Sequence, residues 1–168
     1  SKVAAEFDIT PYIHKGDNLI SFQTFRWCDG SYSEDQDFWR LSGVARESYL
    51  YARDAGVHID DLRITPDLIN DYKDGTLEVK VDVTGRPVID FELLNANGIT
   101  VAKSTADFKR HAYGTIRFSL RNVKKWTAET PYLFTLVATV KNGDKVTEVL
   151  TQKVGFRKIE IKNSQMLV

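Results

Sequence analysis

Between residues 75 and 85 the chain alternates without a break: Leu77, Val79, Val81 and Val83 are separated by Glu78, Lys80 and Asp82. Successive side chains of a strand point to opposite faces, so this spacing sets an apolar face on a core and a charged face in water. Ile89, Phe91 and Leu93 repeat the rhythm, and so do Ile116, Phe118 and Leu120 against Thr115, Arg117 and Ser119. Asn97-Gly98 and Asn142-Gly143 follow or lead such runs as hairpin signals, because both residue types tolerate positive φ. Ile99 and Val101 begin one return strand; residues 132–140 and 146–154 form the other pair. Val57, Ile59, Leu62 and Ile64 make an earlier strand with a poorer rhythm. About seven short strands between residues 57 and 160 predict an all-β, immunoglobulin-like sandwich. The acidic stretch 67–74 lacks the ligand spacing of a calcium loop and reads as a solvated turn.

The first 55 residues differ. Residues 19–27 read as a strand apolar on both faces, and residues 49–51 as another. Between them, residues 28–43 have no period and form a long loop rich in acids, aromatics and glycine. Long ordered loops in compact domains are usually functional. The composition changes near Asp54-Ala55-Gly56, where a domain boundary is expected. The N-terminal part has too few strands to close a sandwich of its own. It reads as the closing strands of a domain whose beginning lies outside this chain, and both chain ends read as boundaries within a longer protein.

Bulk properties narrow the chemistry. The 23 basic and 23 acidic residues cancel, which leaves no electrostatic footprint for nucleic acid or an anionic membrane. Cys28 is the single cysteine, so neither an internal disulfide nor a thiolate metal cluster is expected. No apolar run approaches a membrane span, and the reading is of a soluble chain, cytoplasmic or periplasmic. His14, His58 and His111 are scattered without metal-ligand spacing. No Gly-x-Ser-x-Gly elbow, phosphate-cradling glycine loop or Asn-x-Ser/Thr acceptor occurs.

The candidate site is the run Arg26-Trp27-Cys28-Asp29-Gly30-Ser31-Tyr32-Ser33-Glu34-Asp35-Gln36-Asp37-Phe38-Trp39-Arg40. Carboxylates accept hydrogen bonds from hydroxyls, and aromatic faces cover the C–H faces of a pyranose. A carboxylate can also bind a hard cation through oxygen. Glycoside hydrolysis needs two carboxyl groups about 5–9.5 Å apart across the scissile bond. Glu34, Asp35 and Asp37 supply acids in number, but from one short loop with nothing evident opposite. From the residues alone, the run is either an acidic surface loop with structural aromatics or a sugar site.

Extended to Gly43, the same run closely resembles the signature of the large bacterial β-galactosidases of glycoside hydrolase family 2. Glu6-Phe7-Asp8-Ile9-Thr10 and Gly16-Asp17-Asn18-Leu19 resemble the strand pair before it. Trp126-Thr127-Ala128-Glu129-Thr130-Pro131-Tyr132-Leu133 is similar to the family's Trp-x-Ala-Glu-x-Pro-x-Leu motif, and Val154-Gly155-Phe156-Arg157-Lys158 to its exit from the second domain. The resemblance implies that residues 1–55 close a sugar-binding jelly roll, that 56–160 form the immunoglobulin-like domain, and that 161–168 begin the linker to a catalytic barrel. In the family both catalytic glutamates lie in that barrel, so no glutamate here is given either role and the chain alone is expected to be inactive. One position carries over: Asp37, the second aspartate of Asp-Gln-Asp, would meet the galactose 6-hydroxyl and a sodium ion beside the barrel. Trp27, Glu34, Asp35, Gln36, Trp39 and Arg40 would support the loop. The resemblance further implies a retaining β-galactosidase parent with a galactoside substrate, sodium and magnesium, and a homo-oligomeric assembly. Cys28, Ser33 and Ala45 depart from the residues common at those places, which bears on packing and on the choice among galactosidase, glucuronidase and mannosidase branches. Two other readings stand beside this one: a free-standing carbohydrate-binding sandwich, and a purely structural module.

Overall fold

The computed structural model describes residues 4–33, 41–44 and 46–168. The chain divides into two compact units, Ser1–Tyr51 and Ala52–Val168.

The second unit is the sandwich. Strands β1 (His58–Ile69), β2 (Asp74–Thr84) and β5 (Tyr113–Leu120) form a three-stranded antiparallel sheet in the order β1-β2-β5. Strands β3 (Val88–Leu94), β4 (Thr100–Asp107), β6 (Phe134–Asn142) and β7 (Lys145–Val154) form a four-stranded sheet in the order β4-β3-β6-β7. These are the seven strands expected from residues 57–160. The two inner faces share one core: Leu77, Val79, Val81, Phe91, Leu93, Leu136, Ala138 and Phe156 are all at most 1% exposed. At roughly 25 cal/mol per Å² of apolar area removed from water, such a core is the main stabilising term.

The poor rhythm of β1 has a structural cause. Its register against β2 shifts between Ile59 and Asp61, so Asp60 is an extra residue. Val57 and Ile59 face the core before the bulge, and Leu62, Ile64 and Leu68 pack on it after the bulge. One inserted residue has exchanged odd for even. The Ile59 N–H, next to the bulge, donates to Glu148 Oε2 of β7 at 2.9 Å. This bond ties one edge of the three-stranded sheet to one edge of the four-stranded sheet.

The turns refine the expected hairpins. Only Gly98 of Asn97-Gly98 has positive φ (+78°). The connection runs from Asn95 to Ile99, closed by Gly98 N to Asn95 O (2.9 Å) and Asn95 N to Ile99 O (2.8 Å). A register shift after Leu93 accompanies it, so Ala102 and Ala106 pack on the core while Val101 is exposed. At the second hairpin Gly143 is the first residue of a two-residue loop, with φ +61° and Asn142 paired to Lys145. Gly85 must be glycine. Its φ is +81°, and a Cβ would lie 2.3 Å from the Gly56 carbonyl oxygen.

Residues 161–168, expected to begin the linker, contribute to a hairpin. Strands β8 (Glu160–Lys162) and β9 (Gln165–Leu167) pair across Asn163-Ser164, both of positive φ (51° and 62°). Two positive φ values in a two-residue loop match the twist of the flanking strands, and Asn favours that conformation.

In the first unit, the strands expected at 19–27 and 49–51 are not formed. The described residues there contain a 3-10 turn at Thr10–Tyr12 and a five-residue helix, α1 (Asp29–Ser33), but no strand. Phe7, Leu19, Phe22, Phe25, Tyr49 and Leu50 are each at least 68% exposed. A strand exists as part of a hydrogen-bonded ladder, and none of the described residues supplies one here. Helix α1 lies within the stretch that had no period.

Candidate functional site

Of the candidate run, residues 26–33 are described. Glu34, Asp35, Gln36, Asp37, Phe38, Trp39 and Arg40 lie outside the described residues, as does Ala45.

The described half is built by local hydrogen bonds. Ser31 N donates to Cys28 O at 2.8 Å, and Cys28 N donates to Ser31 Oγ at 3.1 Å. The Ser31 hydroxyl thus satisfies the Cys28 N–H just ahead of the helix, and Ser33 Oγ donates back to Asp29 O at 3.0 Å. The Ser31 hydroxyl, 3.6 Å from Cys28 Sγ, holds this exposed thiol below its ordinary pKa. The Arg26 guanidinium lies 5.5 Å from the Trp27 ring centroid, and Trp27 is 53% exposed. Tyr32 is also exposed. This segment is thus a short helix that carries one exposed aromatic, Tyr32, and follows another, Trp27. Among the described residues no group of three or more His, Cys, Asp or Glu side chains could hold a metal ion.

The other resemblance motifs are placed in the sandwich. Trp126 pairs with Pro131 through an isolated bridge, and its N–H donates to Phe156 O at 2.9 Å. A Cβ on Gly155 would lie 3.2 Å from the Trp126 side chain, and the Arg157 guanidinium sits 4.9 Å from its ring centroid. Between them, Thr127 and Thr130 close a tight turn: Thr127 N donates to Thr130 O, and Thr130 N to Thr127 Oγ1. The tryptophan motif and the Val-Gly-Phe-Arg motif are therefore two halves of one packed corner. Phe134 and Phe156 meet edge-on at 5.2 Å beneath it.

Sequence reasoning missed a polar cluster at the β1–β2 turn. Asn70, Asp71 and Tyr72 all have positive φ (52°, 54° and 61°), a costly run for residues other than glycine. Asp74 supports it. One carboxylate oxygen accepts from Asn70 Nδ2 at 2.8 Å and the other from Asn122 N at 2.9 Å. These bonds, the Asn70 one first, hold Asp74 below the ordinary carboxylate range. The Tyr72 hydroxyl donates to Glu160 of β8, which pushes the Tyr72 pKa up. Lys158 Nζ donates to Leu68 O at 3.2 Å and pairs with Asp67 at 3.5 Å. The cluster fastens the β8–β9 hairpin to the turn. The only advance sign was the density of Asn and Asp.

Glu78, Glu92 and Glu148 on the sandwich strands and Glu160 on β8 are likewise engaged. Glu78 binds Arg117 and Lys80, Glu92 binds Thr100 and Lys103, Glu148 takes the Ile59 N–H, and Glu160 takes the Tyr72 hydroxyl.

Residues 57–157 match the model of glycosyl hydrolases family 2, and residues 1–54 match the sugar binding domain of that family. Among curated proteins, the chain is 39% identical to a β-galactosidase of Priestia megaterium over 98% of its own length and 17% of the relative's. It is 37% identical to a β-galactosidase of Streptococcus thermophilus over 98% of its length and 16% of that relative's. The chain thus spans about a sixth of the length of these relatives. Among solved structures, it resembles the Bifidobacterium dentium β-glucuronidase complexed with coumarin-3-O-glucuronide. That match has a TM-score of 0.59 and 25% identity over 67% of this chain and 20% of that one. Bacteroides uniformis β-glucuronidase 3 gives 0.56 and 20% over 67% and 15%, a likeness of fold. With both family models matched in order along one chain, and the sandwich they require present strand by strand, this chain belongs to glycosyl hydrolases family 2.

Proposed function

We propose that this chain is a non-catalytic part of a retaining β-galactosidase, carrying the end of its sugar-binding domain and its immunoglobulin-like domain. The observation that supports this most is the 39% identity to a β-galactosidase maintained across 98% of the chain. The glucuronidases reach 20–25%. In a retaining mechanism one carboxylate forms a glycosyl-enzyme intermediate that water then hydrolyses, with a second acting as acid and base. The engaged state of Glu78, Glu92, Glu148 and Glu160 agrees with placing both of those groups elsewhere in the whole protein. The sandwich acts as a support, rigid because its core is shared between two sheets.

Asp37 is the group assigned to the substrate. Its carboxylate accepts a hydrogen bond from a galactosyl hydroxyl and offers one oxygen donor to sodium, a hard cation that prefers oxygen. A complete ligand set requires groups beyond the described residues. Trp27, Glu34, Asp35, Gln36, Trp39 and Arg40 shape the loop that carries it.

Chromogenic β-galactoside and β-glucuronide are offered to the whole protein and to the purified 168-residue chain. The whole protein is expected to turn over the galactoside preferentially and the chain to turn over neither. Turnover by the chain above a blank preparation contradicts the non-catalytic assignment, and preference for the glucuronide contradicts the galactosidase assignment.

A further inference from the structure

The chain has two exposed Asn-Gly pairs at hairpins: Asn97-Gly98 lies within its loop, whereas Asn142 is the last residue of β6, paired to Lys145, and Gly143 opens the loop. The fold treats them differently. Gly98 N–H is committed to Asn95 O at 2.9 Å. The Asn95 side chain holds the same loop twice more, its Oδ1 accepting from Asn97 N at 2.9 Å and from Ile99 N at 3.0 Å. Gly143 N–H has no hydrogen-bond partner among the described residues, and neither has the Asn142 carboxamide. A Cβ built on Gly143 meets nothing within 4 Å, so the space around the pair is open.

We propose that Asn142 is a site of spontaneous deamidation in the native protein and that Asn97 is protected by its turn. The Gly143 amide nitrogen, losing its proton to solvent base, attacks Asn142 Cγ. The new N–Cγ bond forms as the Cγ–Nδ2 bond breaks and ammonia leaves. Water then opens the cyclic imide at either carbonyl, giving aspartate or isoaspartate. No redox partner is needed: one amide and one water become one carboxylate and ammonium. Glycine permits the attack because it has no side chain to crowd the ring. At Asn97 the same attack must first break the Gly98 N–H···O bond and loosen three bonds to Asn95. The isoaspartate product places an extra methylene in the backbone at the Asn142↔Lys145 end of the β6–β7 ladder and adds a negative charge beside Lys141 and Lys145.

The 168-residue chain is incubated in mildly alkaline buffer, with and without denaturant, and digested at intervals with a protease that leaves residues 142–143 inside a readable peptide. Mass spectrometry follows the amide-to-acid mass gain at each site, and Asn142→Gln confirms the assignment by removing its signal. In the folded chain Asn142 is expected to convert faster than Asn97 by about fivefold or more, since a net hydrogen-bond contribution of about 1 kcal/mol represents that factor. In denaturant the two rates should converge. Equal rates in the folded chain, no conversion at Asn142, or a difference that persists in denaturant would each overturn the proposal.

Discussion

Residues 52–168 and residues 4–51 draw on the same kinds of side chain and treat them in opposite ways. In the sandwich Phe91, Phe156 and Leu136 are at most 1% exposed, whereas in the first unit Leu19, Phe22 and Phe25 are 68% exposed or more. The sandwich strands each find a partner within the chain, and the described residues of the first unit find none. A hydrophobic pattern proposes a strand; a ladder and a facing layer make it one.

The sharpest way to break that comparison is to truncate one phenylalanine in each region. Phe91→Ala opens a cavity in the shared core and should cost about 3–5 kcal/mol, read as a shifted midpoint in denaturant unfolding of the sandwich. Phe22→Ala should leave the same midpoint within about 0.5 kcal/mol. Equal costs would mean that the first unit has a core that its exposure does not reveal.

Glycines sharpen it next. Gly85→Ala drives a Cβ against the Gly56 carbonyl at a φ of +81°, which should cost about 2–3 kcal/mol. Gly16→Ala, also at positive φ but with nothing within 4 Å, should leave the sandwich midpoint unchanged.

A smaller loss should follow Glu148→Ala, which leaves the Ile59 N–H by the β1 bulge without its acceptor. A partly buried donor so orphaned costs about 1–3 kcal/mol. Glu148→Gln keeps an oxygen acceptor and should recover most of the loss, as thermal melts of the two variants would report.

The smallest effect concerns acid. Lys141 at 2.7 Å, with Thr105, holds the Asp90 carboxyl below its ordinary value. A carboxyl lowered by folding adds stability above its unfolded pKa of about 4 and loses it as pH falls through the folded value. Asp90→Asn should therefore flatten the acid limb of the sandwich's stability profile, by less than about 1 kcal/mol because the pair is partly solvated. An unchanged limb would assign acid sensitivity to other carboxylates, such as Asp74 or Glu78.

The sandwich was legible because alternation is local and its partner strands lie in the same chain. Leu77 to Val83 announced β2, and the faltering rhythm from Ile59 to Leu62 was itself the trace of the bulge at Asp60. The β8–β9 hairpin was not legible, since three-residue strands are too short to show a period and Asn163-Ser164 is a weaker signal than Asn-Gly. The left-handed run Asn70-Asp71-Tyr72 was also hidden. Its cost is met by Asp74, Asn122 and Glu160, and the last two lie far away in sequence. Strands at residues 19–27 were over-read, because apolar content signals burial somewhere without naming the partner. The acidic signature was recognisable as a family motif, but residue types alone could not separate a sugar site from a surface loop.

The most direct test is galactosidase activity of the whole protein, wild type beside Asp37→Ala, across a sodium titration. Loss of most activity together with the sodium response is the predicted result and makes Asp37 the chain's substrate-side ligand. Activity and sodium response equal to wild type would contradict the account and leave the loop as scaffold.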